Sequence, residues 1–252
     1  MDTLGNRAKI GVVVPSTNTA VQPEMEAMRP WGVTNHIGRM AIANRPLRSD
    51  ADFEALIADL MGAQDAAVDG VMSCEPDHLV LGLSAETFWD GIEAGRAATQ
   101  ALRERAGVGV SAAADALVDC LAACGFRRIG VVTPYQPVGD ERVRQFFEAS
   151  GFEVVAMAGL RCASPVQTAW ATRRELIAAL RDLARTGTDA IVQVGTNLPM
   201  AEVAREAFDW LGLPVLAANT VLYRDALDQL GLLDAAGFDA RWLPFRQSAP
   251  QS

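Results

Sequence analysis

The chain has 252 residues, 50% of them of hydrophobic type, and a formal net charge of −9. This length suits one large domain or two small ones. The acidic balance, without a cluster of lysine and arginine, argues against nucleic acid as a partner, and no uncharged apolar run reaches the roughly 18 residues that a membrane span needs. No secretion signal is recognisable at the amino terminus, so we expect a cytoplasmic protein.

Two segments of the sequence are closely similar to one another. KIGVVVPSTNTAVQPEMEAM begins at Lys9, and RIGVVTPYQPVGDERVRQFF begins 119 residues later, at Arg128. Each predicts a buried strand of β-branched residues, then a loop that contains proline, then an amphipathic helix. Because the spacing is close to half the chain, the match indicates an internal duplication.

Further pairs of segments support the duplication. DGVMSC, from Asp69, and DAIVQVG, from Asp189, are both predicted as short strands that follow a helix. The segments near 107 and 212 each predict a strand that leads into a helix, and these helices end at Gly125 and Gly231. Each half therefore predicts three strand–helix units.

Units of this kind build parallel sheets with helices on both faces. The predicted fold is α/β, with two pseudo-symmetric Rossmann-like lobes, a parallel sheet flanked by helices in each lobe, and the active site in the cleft between them. The duplicated halves cover about 8–125 and 127–235. With exchanged terminal elements, residues 1–118 and 213–252 are expected to form the first lobe and residues 119–212 the second.

The loops after the predicted strands are rich in hydroxyl and amide groups. Together with backbone N–H groups at helix starts, these groups suit an anion, most simply a carboxylate. Serine and asparagine after a strand are also ordinary helix caps, so the same residues have a structural interpretation. The candidates are Ser16, Thr17 and Asn18 in the first half and Tyr135, Gly195, Thr196 and Asn197 in the second.

The cysteines and histidines predict no metal site. Cys120 and Cys124 have helical spacing and are predicted to pack in the core, and His36 and His78 lie far apart in sequence. No glycine-rich nucleotide motif follows a strand, so no organic cofactor is expected. Cys74 is predicted to end a strand, where it is either a buried filler or a thiolate favoured by nearby N–H groups.

These segments resemble the aspartate/glutamate racemase superfamily, and within it the branch of maleate cis-trans isomerases and arylmalonate decarboxylases. The resemblance covers about residues 8–235 and rests on VVPSTNTAVQPEM, MSC at 72–74, VSAAADALVDCLAACGFRRIGVVTPY and GLPVLAANT. LGLSAETFWDG, at 81–91, is similar to a loop of the decarboxylases. Ectoine-utilisation proteins of the same branch are similar as well.

The resemblance implies a cofactor-independent enzyme of a small carboxylate. In the isomerases of this branch, one cysteine from each lobe flanks the substrate, and the first adds to the double bond of maleate so that the new single bond can rotate. Cys74 would match that first cysteine, and Asn18 and Tyr135 would match residues that hold the carboxylates. The place of the second cysteine falls at Val194 or Gly195, so this chain lacks it.

Three functions stay open on the sequence. The first is a thiol-dependent, maleate isomerase-like enzyme of a small (di)carboxylate, with Cys74 as nucleophile. The second is a cofactor-free decarboxylase or lyase of a substituted malonate-like acid, with Cys74 as proton donor. The third is a carboxylate-binding protein of ectoine-type catabolism without activity. In an enzyme, the acid–base duty of the missing thiol would pass to His78, Asp77, Thr196 or water, and the chain would act alone or as a homo-oligomer.

Overall fold

Helices and strands alternate along the chain. The structure is a computed structural model that describes residues 2–85, 88–89, 91–233 and 239–243. The first half contains β1 (Ala8–Pro15), α1 (Val21–Met28), β2 (Val33–Met40), α2 (Asp50–Met72), β3 (His78–Leu81), α3 (Ile92–Ala106), β4 (Gly109–Ala112) and α4 (Ala113–Cys124). The second half contains β5 (Arg128–Thr133), α5 (Pro137–Ala149), β6 (Glu153–Gly159), α6 (Arg173–Ala184), β7 (Ala190–Gln193), α7 (Ala201–Leu211), β8 (Val215–Ala217) and α8 (Ala218–Gln229).

The strands form two parallel sheets of four strands each, in the orders β2-β1-β3-β4 and β6-β5-β7-β8. The two sheets have the same topology, because β5 to β8 repeat the order of β1 to β4. The register repeats as well: Val13 pairs with Leu81 in the first sheet, and Val132 pairs with Gln193 in the second. The prediction of an α/β fold with two parallel sheets flanked by helices is confirmed.

The central strands are apolar because helices cover both of their faces. In β1, Ile10, Val12 and Val13 have no exposed surface, and in β5 the same holds for Ile129 and Val131. Continuous burial of this kind is typical of parallel sheets and explains why these strands contain runs of β-branched residues rather than an alternating pattern. The strands thereby fix the positions of the loops that follow them.

One predicted strand is a helix. DGVMSC was predicted to be a strand, but α2 extends to Met72, and the strand of this unit begins only at His78. Phe53, Ile57 and Val68 are buried along one face of α2, and the helical spacing of apolar residues continues to the end of the helix. This prediction is therefore wrong, and Cys74 precedes its strand instead of following it.

The number of units per lobe was also predicted too low. Each half has four strand–helix units rather than three, because β2 and β6 occupy one edge of each sheet. β2 carries the polar sequence VTNHIGRM, and only three of its eight residues are buried. An edge strand has a neighbour on one side only, so a weak apolar pattern is enough for it.

The two halves share a core. α8, from the end of the second half, packs on α1, α4, β3 and β4 of the first half. Its Leu222 and Tyr223 have no exposed surface and belong to the same apolar cluster as Ile10 and Val12 of β1. Across the cleft, Phe53 of α2 packs edge-to-face on Tyr135, with ring centroids 5.4 Å apart. Within the described ranges, no helix is long and apolar enough to cross a membrane.

Candidate active site

A pocket lies between the two lobes, at the carboxyl ends of β1, β3, β5 and β7. It is lined by the residues that follow these strands and by one face of α2. Its volume is about 80 Å³. A buried water needs roughly 10–15 Å³ on this scale, so the space suits a ligand of a few non-hydrogen atoms. In parallel α/β sheets this edge is the usual place for a ligand.

One wall of the pocket is polar and is built from both lobes. Ser84, which follows β3, has its hydroxyl 2.9 Å from the Tyr135 hydroxyl, which follows β5. The Thr196 backbone N–H, after β7, donates to Ser84 Oγ at 3.2 Å, and the Asn18 amide donates to Thr196 Oγ1 at 3.3 Å. Four loops from four strands therefore meet in one hydrogen-bonded group at the pocket.

Ser84 and Thr196 hold equivalent positions in the two lobes. Leu81 ends β3 and Gln193 ends β7, and both pair with the equivalent residue of the central strand. Ser84 and Thr196 each come three residues after those ends, so the duplication places a hydroxyl group from each lobe at the same pocket. Thr196 Oγ1 donates to the carbonyl of Gly82 at 3.0 Å, so its proton is directed away from a ligand, and the hydroxyl groups of Ser84 and Tyr135 are the ones that suit carboxylate oxygens.

The opposite wall of the pocket is apolar. It is formed by side chains from the β2–α2 loop and from α2, namely Ile42, Leu47, Phe53, Leu56 and Leu60. The loop is held across the cleft because the Leu47 N–H donates to the carbonyl of Ala163 at 2.7 Å. A carboxylate against this wall would lose hydration, which raises the energy of its charged form.

Among the described residues that line the pocket, Tyr135 is the only one with an ionisable side chain. An anion in this pocket would therefore have to be held by hydroxyl groups, backbone N–H groups and helix starts. α5 begins at Pro137, two residues after Tyr135, and the positive end of its dipole lies next to the pocket. Within the same ranges, no group of three or more His, Cys, Asp or Glu is placed to hold a metal ion.

Asn18 and Asn197 line the pocket, but their side chains also hold the backbone. Asn18 Oδ1 accepts from the N–H groups of Ala20 and Val21, at the start of α1, at 3.0 Å each. Asn197 Oδ1 accepts from Thr19 N–H at 2.8 Å, and its amide donates to Pro165 O at 2.8 Å. Asn197 thereby connects loops of the two lobes, and both asparagines shape the pocket through these bonds.

Ser16 does not line the pocket. Its side chain is exposed, and its hydroxyl group both donates to the carbonyl of Ile42 and accepts from the N–H of Ile42. The duplication places Ser16 opposite Tyr135, since each residue follows the proline at the end of a central strand. Tyr135 reaches the pocket because its ring packs on Phe53, whereas the shorter side chain of Ser16 is used to hold the β2–α2 loop.

Gly195 has a backbone conformation that excludes a side chain. Its φ is +94°, and a Cβ atom would lie 2.6 Å from both Cδ and Cγ of Pro134. Gln193 holds this turn, because its amide donates to the carbonyls of Val194 and Gly195 at 2.6 and 2.8 Å. Of the two positions where the second thiol was sought, Gly195 therefore leaves no room for one, and Val194 is a buried apolar side chain.

Cys74 lies at the amino ends of the strands of the first sheet, whereas the pocket lies at their carboxyl ends. Its carbonyl accepts from Lys9 Nζ at 2.7 Å, and its thiol donates to Val71 O at 3.1 Å. Lys9 and Pro15 are near the two ends of β1, and Pro15 lines the pocket. The distance between them is six residue steps along the strand, or about 20 Å. The structure does not bring Cys74 together with Asn18, Tyr135 or Thr196, and the expected position after a strand belongs to Gly82 and the residues that follow it.

His78 and Asp77 also lie at the amino ends of these strands, away from the pocket. Asp77 accepts from the backbone N–H of Lys9 at 2.8 Å. His78 is buried, with Nε2 2.9 Å from Ser111 Oγ, and burial, helped by the charge of Arg103, lowers its pKa to about 4. Neither residue is placed to exchange a proton with a ligand in the pocket, because His78 begins β3 and Asp77 precedes it, whereas Ser84 follows the other end of this strand.

The other three cysteines also lie outside the pocket lining. Cys120 is buried in α4 and Cys124 is half-buried at its end, which confirms that they pack in the core. Cys162 lines a separate surface groove with Arg161 and Gln167, and burial raises the pKa of its thiol. A raised pKa keeps this thiol protonated at neutral pH.

The sequence reasoning missed Ser84 and the apolar wall. Ser84 belongs to GLSA, at 82–85, which follows a short run of buried residues, HLVL, at 78–81. Reading HLVL as the strand would have placed Ser84 among the strand-end residues. The wall could not be found in the same way, because Leu56 and Leu60 have the spacing of any buried helix face.

The chain was compared with known proteins. The model of the arylmalonate decarboxylase family matches residues 10–240. Maleate isomerase of Nocardia farcinica is 27% identical over 223 residues, which are 84% of this chain and 86% of that protein. Maleate isomerase of Alcaligenes faecalis is 26% identical over 237 residues, which are 89% of this chain and 91% of that protein.

Solved structures have the same fold. The Nocardia farcinica maleate cis-trans isomerase, in a mutant form with a covalently bound succinylcysteine intermediate, has a TM-score of 0.81 and 24% identity over 94% of this chain and 99% of that one. Arylmalonate decarboxylase has a TM-score of 0.74 and 18% identity over 93% of this chain and 97% of that one. With a family model that matches nearly the whole chain and a fold shared with solved structures, the chain belongs to the arylmalonate decarboxylase family.

Proposed function

We propose that the chain is a cofactor-independent enzyme that converts a small carboxylate in the cleft pocket, as an isomerase of the maleate type. The observation that carries the proposal is the meeting of Ser84, Tyr135 and Thr196, from both lobes, in one group of hydrogen bonds beside an apolar wall. The similarity to two maleate isomerases over more than four-fifths of the chain supports the same reaction type.

Cis-trans isomerisation requires that the double bond lose its π character while the molecule rotates. Hydrogen bonds from the hydroxyl groups of Ser84 and Tyr135, with Ser84 Oγ held in place by the Thr196 N–H, would stabilise the negative charge that moves onto one carboxylate. A covalent adduct at this pocket would need a hydroxyl nucleophile, Ser84 being the best placed, because its oxygen already contacts a phenol that can exchange the proton. The proposal therefore assigns no role to Cys74.

The apolar wall favours a second reaction, the decarboxylation of a malonate with a small apolar substituent. A carboxylate held against Leu47, Leu56 and Leu60 would lose its hydration, and the carbon–carbon bond would break to release CO₂. The electron pair would stay on the other carboxylate as an enediolate, held by the polar wall. A proton from a hydroxyl group or from water would then complete the product.

Proton NMR in D₂O tests both reactions with maleate, methylmalonate and phenylmalonate. Fumarate formed from maleate indicates isomerisation, and a deuterium-labelled monocarboxylate indicates decarboxylation. Ser84→Ala is expected to lower turnover by about 10²–10³-fold, as for the loss of one donor to a developing oxyanion. Cys74→Ala is the control and should leave turnover unchanged; activity that disappears in Cys74→Ala but persists in Ser84→Ala would contradict the proposal and return the chemistry to a thiol.

A cytoplasmic location and a homo-oligomeric state are part of the same proposal. Size-exclusion chromatography with light scattering tests the oligomeric state directly. A monomer would contradict that part and leave the proposed chemistry in place, since the pocket is built from one chain.

A further inference from the structure

We propose that Glu24 is a positioning residue for the pocket, which acts through Asn219 on the Thr196 loop and links ligand binding in the cleft to the protonation of one buried carboxyl group. The inference rests on the proposed function only in that the ligand is a carboxylate. Glu24 itself does not line the pocket and touches no position that a ligand would take.

The Glu24 carboxylate joins three helices from both halves of the chain. Glu24 belongs to α1; its Oε1 accepts from the backbone N–H of Ala201, the first residue of α7, at 2.8 Å. Its Oε2 accepts from Asn219 Nδ2, in the first turn of α8, at 2.6 Å. A carboxylate at the start of α7 is also favoured by the helix dipole.

Asn219 connects this carboxylate to the pocket. The same Nδ2 group donates to the backbone carbonyl of Thr196 at 2.8 Å. Thr196 is held on its other side by Asn18, whose Oδ1 caps the start of α1. Glu24, Asn219, Thr196 and Asn18 thus form a closed ring of hydrogen bonds through α1, and the pocket wall is one side of that ring.

Protonation of Glu24 would change this ring. Burial raises the pKa of the Glu24 carboxyl group to about 7, and the charge of Glu202 on α7 adds to the shift, although the bonds from Asn219 and Ala201 oppose it. A protonated oxygen that faces Asn219 Nδ2 places a donor against a donor. The Glu24–Asn219 bond is then lost unless the asparagine amide turns over.

Asn219 has an unused acceptor that permits such a turn. Its Oδ1 is buried and has no hydrogen-bond partner among the described residues. With the amide turned, Oδ1 would accept a hydrogen bond from the O–H of protonated Glu24, and Nδ2 would leave the Thr196 carbonyl. Ionised Glu24 therefore favours the Asn219–Thr196 bond seen here, and protonated Glu24 favours its loss.

The first test uses the ligand-free protein and does not depend on the proposed function. The amide resonances of Thr196 and of the Asn219 side chain are followed by ¹⁵N NMR from pH 5.5 to 8.5. Both are expected to shift with a common midpoint near 7, and in Glu24→Gln neither should titrate. Glu202→Gln, which removes the exposed neighbouring charge, is the control and should keep the titration with a lower midpoint. A Thr196 amide that does not respond in the wild-type protein overturns the positioning role, even if Glu24→Gln does not fold.

The second test measures maleate binding by calorimetry over the same pH range. The ionisation of maleate is common to both proteins, so the ratio of wild-type to Glu24→Gln affinity isolates the carboxyl group. This ratio is expected to change about fivefold across pH 7, as for one hydrogen bond gained or lost. A constant ratio overturns the link to ligand binding. If the Thr196 amide titrates but neither maleate nor the malonates bind, the proposed function fails and the positioning of the loop by Glu24 stands.

Discussion

Substituting Gly195 by alanine tests whether this strand end can carry a side chain. Two costs are expected. An L-residue in the left-handed region that Gly195 occupies, with φ at +94°, costs roughly 1–2 kcal/mol. A Cβ atom 2.6 Å from Pro134 Cδ and Cγ adds an overlap that typically costs about 1–3 kcal/mol in a packed site. The sum predicts a loss of about 2–5 kcal/mol in the free energy of unfolding.

A matched control separates the two costs. Gly187 has φ at +74°, and a Cβ atom there would meet nothing within 4 Å, so Gly187→Ala carries only the backbone cost. In the double variant Gly195→Ala/Pro134→Ala the ring atoms are absent, and the overlap should disappear. Urea unfolding followed by circular dichroism, with linear extrapolation, measures all four proteins.

The outcome bears directly on the chemistry. If Gly195→Ala is no less stable than Gly187→Ala, or if the Pro134 substitution recovers nothing, the reasoning about this turn is refuted. If the expected order is found, a Gly195→Cys variant cannot present a thiol to the pocket without movement of the backbone. A simple exchange at this position would then not convert the chain into a two-thiol enzyme.

Three further predictions concern the joint between the lobes, the pH dependence of stability and the distant thiol. Asn197→Ala should lower the free energy of unfolding by about 2–3 kcal/mol, because the side chain accepts from the Thr19 N–H and donates to Pro165 O. Urea titration measures this loss. An unchanged midpoint would show that water replaces these hydrogen bonds. His78 stays neutral in the fold down to pH about 4, whereas an unfolded histidine titrates near 6.5, so its contribution to stability should fall by about 3 kcal/mol as pH drops through that window. Glu24, with its pKa raised to about 7, acts in the opposite direction, and its contribution falls as pH rises from about 4.5 to 7. The wild-type profile should therefore be flatter than that of His78→Gln or of Glu24→Gln, and coincident profiles of all three would contradict both assignments. Maleate should not protect Cys74 from iodoacetamide, as followed by mass spectrometry; clear protection would place the thiol closer to the ligand than the structure does.

The predictions from the sequence are correct for segments whose local residue pattern fits only one type of secondary structure. KIGVVVP and RIGVVTP are too β-branched and too short for a surface helix, and the segments that end at Gly125 and Gly231 have the helical spacing and the glycine of a capped helix. These elements fix the parallel sheets. They also fix the edge of the sheets at which Asn18, Tyr135 and Thr196 meet, and that edge was predicted from the repeat.

The prediction failed where two patterns compete over a few residues. DGVMSC is a short apolar run bounded by acidic residues, which fits the last turn of a long buried helix as well as a strand. The helix is favoured because its apolar spacing begins at Phe53 and extends to Val71, which a six-residue window does not include. Because DGVMSC was predicted to be a strand, Cys74 was expected at the carboxyl ends of the strands, beside the pocket. It lies at their amino ends instead, so the structure does not place its thiol beside a ligand in the pocket.

The packing of α8 on the first half has a consequence for how the protein is made. α1, β3 and β4 are covered by a helix that ends at Gln229, more than a hundred residues after β4. During translation the first half is synthesised long before α8. One apolar face of the first sheet therefore stays exposed until α8 has been made. Contacts between residues so far apart in sequence slow folding. We therefore expect the chain to remain prone to aggregation until α8 has been synthesised and has packed, and not only until the first sheet is complete.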